Sequence, residues 1–416
     1  MNKFFFQPFE KVILHFDGDS FFASVEQVMD YRLKGKPLVT GGERGAITSA
    51  SIEAKRLGVN RGLPLKMARE ICPELIVVKG DYLSYSIFAK RMYAIVREFG
   101  PVVEEYSIDE CFAEITGLDQ VYKKSYEEVA LMIKEKLETS LGITFGVGMG
   151  PSKVLAKVAS KHRKPAGFTV VNPESLTGFL QTLPVSGVWG IGPALSLSLN
   201  KIGVKTAEDL IESEEGWLQA KGMSRPVREL RLELMGYCVN SVESAHEARQ
   251  SIIKSRTFRP ASSKREFVYA QLSKNVELAC SSARREGLRP REAYFYLKTQ
   301  EFTYEGFNIA LPLATSSPSE IMKWVNKHFD QVYKRGVLYR ATGVNLKRFV
   351  EKEIQHDLFG ESETGEKHSE IFKSVDQLAR RFGESTLYLG SSHRAYGHSS
   401  GESKKHLDLP FLGVVR

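Results

Sequence analysis

Cysteine is scarce in this 416-residue chain: there are four, Cys72, Cys111, Cys238 and Cys280, and none forms a C-x-x-C pair. That spacing excludes a zinc ribbon or a disulfide scaffold and fits a reducing compartment. Long apolar runs are missing as well; none approaches the roughly twenty residues that a bilayer span needs. The opening MNKFFFQPFEK breaks its apolar run at Pro8 and Glu10, too early for a secretory leader. No internal repeat is visible. The expectation is a cytoplasmic protein with no membrane association.

What is present describes a soluble, globular chain, 42% hydrophobic and 26% charged. Its length exceeds one ordinary core and points to about three domains. Lysine and arginine outnumber the acids 58 to 50, a net charge of +8, which permits a polyanionic partner. The surplus is uneven. Lys254 to Lys298 carries eleven Lys or Arg against four Glu.

The segment KVILHFDGDSFFASVEQVMD reads as a buried strand, Val12 to Phe16, running into a helix that Asp19 or Ser20 is placed to cap. Two short strands around a Gly-rich turn follow, then a helix stopped near Gly58. A helix is expected over 82–98, then a hairpin over 102–116. SYEEVALMIKEKLETSLG opens with a capping-box pattern, Ser125 and Glu128, and closes near Gly142. ITFGVGMG reads as a strand and SKVLAKVASKHRK as a helix. Residues 172–240 look helical. Residues 252–350 interleave four strand-like runs with two helices, and beyond 351 the chain turns polar. SSHRAYGHSSGESKK is expected to be flexible.

The hairpin contains YSIDECFAEITG, in which Asp109 and Glu110 adjoin. Neighbours on a strand point to opposite faces, so the two acids act together only across a turn or bulge. Asp17 ends the first apolar run, 92 residues earlier, a separation compatible with adjacent strands of one sheet. Three converging carboxylates suit Mg²⁺, which keeps waters and shares substrate phosphates. Two such ions roughly 3.5–4 Å apart would flank a phosphoryl transfer. The plainer alternative is surface acids at turns.

FDGDSFFASVE, SIEAKRLGV, YSIDE, GVGMGPSKVLAKVASKHRKPAG and VWGIG occur in the order expected of a Y-family, translesion DNA polymerase, and the resemblance spans about residues 10 to 350. YSIDE, VWGIG and QHDLF…STLYLGSS are closer to the UmuC branch, whereas the overall length suits DinB-type enzymes. The resemblance implies an α+β multidomain, right-hand polymerase. A ferredoxin-like palm would occupy 1–19 and 82–171, small fingers 20–81, and a helix–hairpin–helix thumb 172–240. A linker over 241–252, an α+β little finger over 253–350 and a tail over 351–416 would follow.

It further implies that Asp17, Asp109 and Glu110 are the catalytic carboxylates holding two Mg²⁺ ions, with the Gly18 carbonyl completing the nucleotide-bound metal. Phe22 matches the steric gate that excludes a ribose 2′-hydroxyl, and Phe21 adjoins it, with a core role as its alternative. Ser49, Lys55 and Lys164 match contacts to the incoming nucleotide. Ile52 and Lys55 stand where the family often has Tyr and Arg, so the grip on the triphosphate is expected to be looser. Lys153, Lys157 and Lys161 form one helical stripe, which for Lys153 and Lys161 reads equally as a solvated face.

VWGIG resembles a helix–hairpin–helix whose Gly190 and Gly192 admit a phosphate to backbone N–H groups. Arg256, Arg259, Lys264, Arg284 and Arg285 of the basic stretch match phosphate ligands. Gln355, Asp357, Leu358 and Phe359 resemble a sliding-clamp peptide. The implied activity is monomeric, error-prone synthesis from dNTPs on primer–template DNA, without proofreading, in DNA repair and SOS mutagenesis. A UmuD-like or recombinase partner is a further expectation. Two alternatives stay open: a catalytically inactive relative that only holds DNA, and a nucleotide cyclase with a similar palm.

Overall fold

The computed structural model describes residues 10–41, 45–244, 249–350, 361–383 and 386–396. Contacts divide the chain near residue 246 into two units. The first begins with β1 (Ile13–Gly18), α1 (Phe21–Met29), β2 (Leu38–Gly41), β3 (Ile47–Ala50), α2 (Ile52–Arg56), α3 (Leu65–Ile71) and β4 (Ile76–Val78). It continues through α4 (Tyr82–Arg97), β5 (Val103–Ser107), β6 (Glu110–Glu114), α5 (Leu118–Tyr122), α6 (Tyr126–Leu141), β7 (Phe145–Gly150), α7 (Lys153–His162) and β8 (Phe168–Val170). Five helices follow: α8 (Pro173–Thr182), α9 (Pro193–Lys201), α10 (Ala207–Glu212), α11 (Glu215–Ala220) and α12 (Arg225–Leu234).

β1 lies at the centre of a five-stranded sheet ordered β5-β6-β1-β7-β8, while β3-β2-β4 form a separate small sheet. All six residues of β1 are buried because both sheet faces are covered. Leu14, Phe16, Phe145, Val147 and Met149 share a core with apolar residues of α4 and α6. The other face belongs to α7. There β7 alternates its large residues with Gly146, Gly148 and Gly150. A side chain at Gly148 would put Cβ 2.0 Å from the Ala156 carbonyl oxygen, so the glycines let α7 lie directly on the sheet. α6 carries the expected capping box of Ser125 and Glu128 and ends at Gly142, φ +69°.

The cap of α1 differs from expectation. Ser20 occupies the cap position at φ +51° without a side-chain cap bond. The Asp19 carboxylate is drawn away to Thr144 Oγ1 (2.9 Å) and the Ala166 N–H (2.7 Å). That use holds a distant loop, which a local cap could not do.

The second unit contains β9 (Ser251–Ser262), α13 (Arg265–Arg285), β10 (Arg289–Thr299), β11 (Tyr304–Ala310), α14 (Pro318–Val332) and β12 (Tyr339–Val350), then α15 (Glu361–Phe382) and α16 (His393–Tyr396). Its sheet is antiparallel, ordered β11-β10-β12-β9. Val268, Leu272 and Val276 of α13 pack with Ile321, Val325 and Phe329 of α14 and with Phe295 and Val344 of the sheet.

The expectation of flexibility past residue 390 is corrected for residues 391–396, which dock on α13. Ser391 Oγ meets Ser273 Oγ at 2.7 Å, Ser392 donates to Glu277, and Lys274 Nζ lies 3.7 Å from the centroid of the Tyr396 ring. Burial beneath this segment raises the Glu277 carboxyl to about 7, opposed by the Ser392 hydrogen bond. Polar composition hid the docking because its contacts are themselves polar.

Candidate active site

Antiparallel pairing places Asp17 directly across from Glu110, and the Gly18 N–H donates to the Asp109 carbonyl at 2.9 Å. Asp109 lies in the two-residue turn joining β5 to β6, and Glu110 starts β6. The turn brings the neighbouring acids to the same end of the sheet. Ser107 Oγ donates to Asp109 Oδ1 at 2.7 Å. Burial raises the Asp17 carboxyl to about 6; the Lys164 ammonium lowers it, and the Glu110 and Asp109 charges raise it again. All three sequence-predicted carboxylates therefore act on one another.

Two lysines neutralise them. Lys164 Nζ lies 2.5 Å from Asp17 Oδ1 and 3.5 Å from Asp19 Oδ1. Lys157 Nζ lies 2.7 Å from Glu110 Oε2, with only 5% of its side chain exposed. Lys153, one turn earlier, pairs with Glu104 at 2.7 Å. The stripe expected as a possible solvated face is thus buried at Lys153 and Lys157 and exposed only at Lys161. Among the described residues, no three His, Cys, Asp or Glu side chains are gathered as a ready metal cage. The donor set is nonetheless all oxygen and held at one end of the central strands, and a hard cation could assume the charge neutralisation that the lysines provide.

Asp19 holds Ala166 at φ +58° through that 2.7 Å bond, which fixes the approach of Lys164. Lys55 is exposed; desolvation by its surroundings, then the Lys164 charge, lowers its pKa, while Asp19 and Asp17 oppose this. Lys55 therefore lies close enough to share their field. Ser49 donates to the Ser20 carbonyl at 3.3 Å, and the buried Ser20 hydroxyl has no protein partner. Ile52 begins α2 and Ser51 caps it.

Phe21 and Phe22 separate cleanly. Phe21 is 3% exposed, and a Cβ on Gly18 would sit 2.8 Å from its ring. Phe21 is therefore a core residue, a correction to its placement at the nucleotide, and Gly18 makes room for it. Phe22 is half-buried and stacks on Tyr85 at 4.3 Å and 11°, with Tyr82 edge-on at 5.6 Å. Tyr85 Oη is bonded to buried Glu26 at 2.7 Å, which fixes the platform under Phe22.

Gly190 adopts φ +97° beside Leu230, and Gly192 precedes α9 with open space around its Cα. Arg256, Arg259, Lys264 and Arg285 are exposed on the second unit. Arg284 is not available for phosphate. Its guanidinium makes a two-pronged pair with Asp376 (2.7 and 2.8 Å) and donates to the Ser316 carbonyl (2.6 Å), which corrects that assignment. Gln355, Asp357, Leu358 and Phe359 lie outside the described residues.

Sequence reasoning missed Asp19 as the anchor of the Lys164 loop, Lys157 as the partner of Glu110, and Glu233. The Glu233 carboxylate is fully buried on α12 and accepts from the Val154 N–H at 3.1 Å and the Asn240 N–H at 2.8 Å. It therefore stabilises the N-terminus of α7 from across the chain. The i, i+4 lysine spacing was the one visible pointer to Lys157.

Comparison with known proteins identifies the family. Residues 16–161 match the impB/mucB/samB family and residues 249–358 its C-terminal domain. DNA polymerase IV of Caulobacter vibrioides is 29% identical over 91% of this chain and 93% of its own. DNA polymerase IV of Desulfatibacillum aliphaticivorans is 30% identical over 91% and 96%. DNA polymerase IV 2 of Mesorhizobium japonicum is 41% identical over 50% and 49%. A solved Y-family DNA polymerase chimera containing Dbh has a TM-score of 0.70 at 24% identity, covering 82% of this chain and 100% of its own. The insertion ternary complex of Dbh DNA polymerase gives 0.57 at the same identity and coverage. The chain belongs to the impB/mucB/samB family and is a Y-family, DinB-like DNA-directed DNA polymerase.

Proposed function

We propose that the chain extends a DNA primer past damaged template bases, taking dNTPs and two Mg²⁺ ions at Asp17, Asp109, Glu110 and the Gly18 carbonyl. The observation that carries this reading is the cross-strand pairing of Asp17 with Glu110 beside Asp109. Bound there, the ions would lower the pKa of the attacking primer hydroxyl and steady the leaving pyrophosphate. The five-stranded sheet would be the palm, the three-stranded sheet the fingers, α8 to α12 the thumb, and the second unit's sheet the little finger.

The chain's own groups have separable tasks in this reading. Lys164 and Lys55 supply positive charge for the triphosphate. The first-turn N–H groups of α1 and the unpartnered Ser20 hydroxyl supply further donors for phosphate oxygens. Gly190 and Gly192 would hold one backbone phosphate, and Arg256, Arg259, Lys264 and Arg285 others, without reading sequence. Such contacts accept a distorted template and weaken steeply with salt. Primer extension on undamaged and abasic templates tests the proposal. Wild type should extend both, and no extension on the undamaged template refutes it.

Phe22→Ala should raise ribonucleotide incorporation roughly 100-fold relative to deoxyribonucleotide, the scale at which a pocket wall discriminates a small substituent. Unchanged sugar selectivity would place the gate elsewhere. Residues 355–359 are proposed to dock on a sliding clamp, whose tether raises the effective concentration of the primer end. Deleting them should abolish clamp stimulation and spare clamp-free synthesis. Equal stimulation after deletion would refute the tether.

A further inference from the structure

Lys157 is the most enclosed cation beside the acids. A buried ammonium needs compensating partners, and here they come from two parts of the first unit. Glu110 supplies one, at 2.7 Å. Aromatic rings supply the others: Nζ lies 4.0 Å from the Tyr106 centroid and 5.0 Å from that of Trp189. Tyr106 and Trp189 meet edge to face at 5.3 Å, and Trp189 lies 5.7 Å from Phe112. Tyr106 and Phe112 belong to the hairpin that carries Glu110. Trp189 does not. It immediately precedes Gly190, whose added Cβ would lie 3.0 Å from Leu230 of α12, so its backbone is closely packed against that helix.

We propose that Lys157 is a positioning residue that, clasped by Trp189, sets how readily Glu110 accepts a divalent cation, and so couples duplex binding at the Gly190 hairpin to cation binding at the carboxylates. This rests on the reading of that hairpin as a DNA contact and of the three acids as cation ligands. Lys157 and a cation compete for the same Glu110 oxygen. A phosphate seated on the Gly190 and Gly192 N–H groups pulls on the residue beside Trp189, loosens the cage and frees Glu110. By linkage, each ligand then strengthens the other by an equal factor.

Mn²⁺ binding to the full chain, followed by the loss of the free-ion EPR signal, tests this with and without primer–template duplex and without nucleotide. A titration of duplex alone serves as the blank. Wild type should bind Mn²⁺ roughly fivefold tighter when duplex is present, the lower end of common couplings. Trp189→Leu leaves every charge in place and should lose that difference, whereas Trp189→Phe keeps a π face and should retain it. Lys157→Met should bind Mn²⁺ more tightly without duplex and show little further gain with it. Circular dichroism identifies any variant that has unfolded, and Trp189→Leu then decides alone. Coupling that survives Trp189→Leu, or is absent from wild type, overturns the inference. The polymerase reading fails separately, through extension that does not depend on Asp109.

Discussion

Asp109→Ala should extend primers about a thousandfold more slowly than wild type, because in the proposed mechanism it loses a cation's charge stabilisation worth several kcal/mol, at about 1.4 per factor of ten. Its fold should survive. Asp109 occupies a partly exposed turn and its carboxylate accepts from Ser107 Oγ at 2.7 Å, so truncation costs roughly 1 kcal/mol of stability. Asp17→Asn is a poorer control, since it also removes the negative charge that Lys164 pairs with at 2.5 Å. Single-turnover extension alongside a thermal melt separates chemistry from folding. A near-wild-type rate in Asp109→Ala would remove the proposed mechanism.

Gly148→Ala should be among the most damaging small substitutions in the first unit. The new methyl would lie 2.0 Å from the Ala156 carbonyl oxygen and 2.3 Å from the Ser160 nitrogen, both backbone atoms of α7. Neither can rotate away, so α7 must lift. Overpacking of this kind costs about 3 kcal/mol or more, a large share of a marginal total. At roughly 2–4 °C per kcal/mol for a unit of this size, the melting temperature should fall by about 6–12 °C. Activity should fall further than stability alone accounts for, because α7 carries Lys157 and leads into Lys164. A melting temperature within a degree of wild type would show that α7 does not lie as described.

Asp17 was legible because an apolar run commits it to a strand, and Asp109 and Glu110 because adjacent acids inside a hairpin pattern act together only across a turn. The capping box at Ser125 and Glu128 was legible because both partners lie within four residues. What escaped depended on distant partners. Lys153 and Lys157 were ambiguous until α7 was laid on the glycine face of β7, which only the tertiary structure reveals. Arg284 looked free because Asp376 is 92 residues away. Phe21 and Phe22 are chemically identical and adjacent, and only the direction of the helix distinguishes core from platform. The docking of residues 391–396 was hidden by serines that bond to other polar groups.

The grip of Arg284 on Asp376, joined by Ser281 Oγ on the same carboxylate at 3.1 Å, ties α15 to α13. Only 9% of the Arg284 side chain meets solvent. Peeling the helix away would therefore strand a guanidinium without its counter-charge, so α15 is retained by the cost of an uncompensated charge.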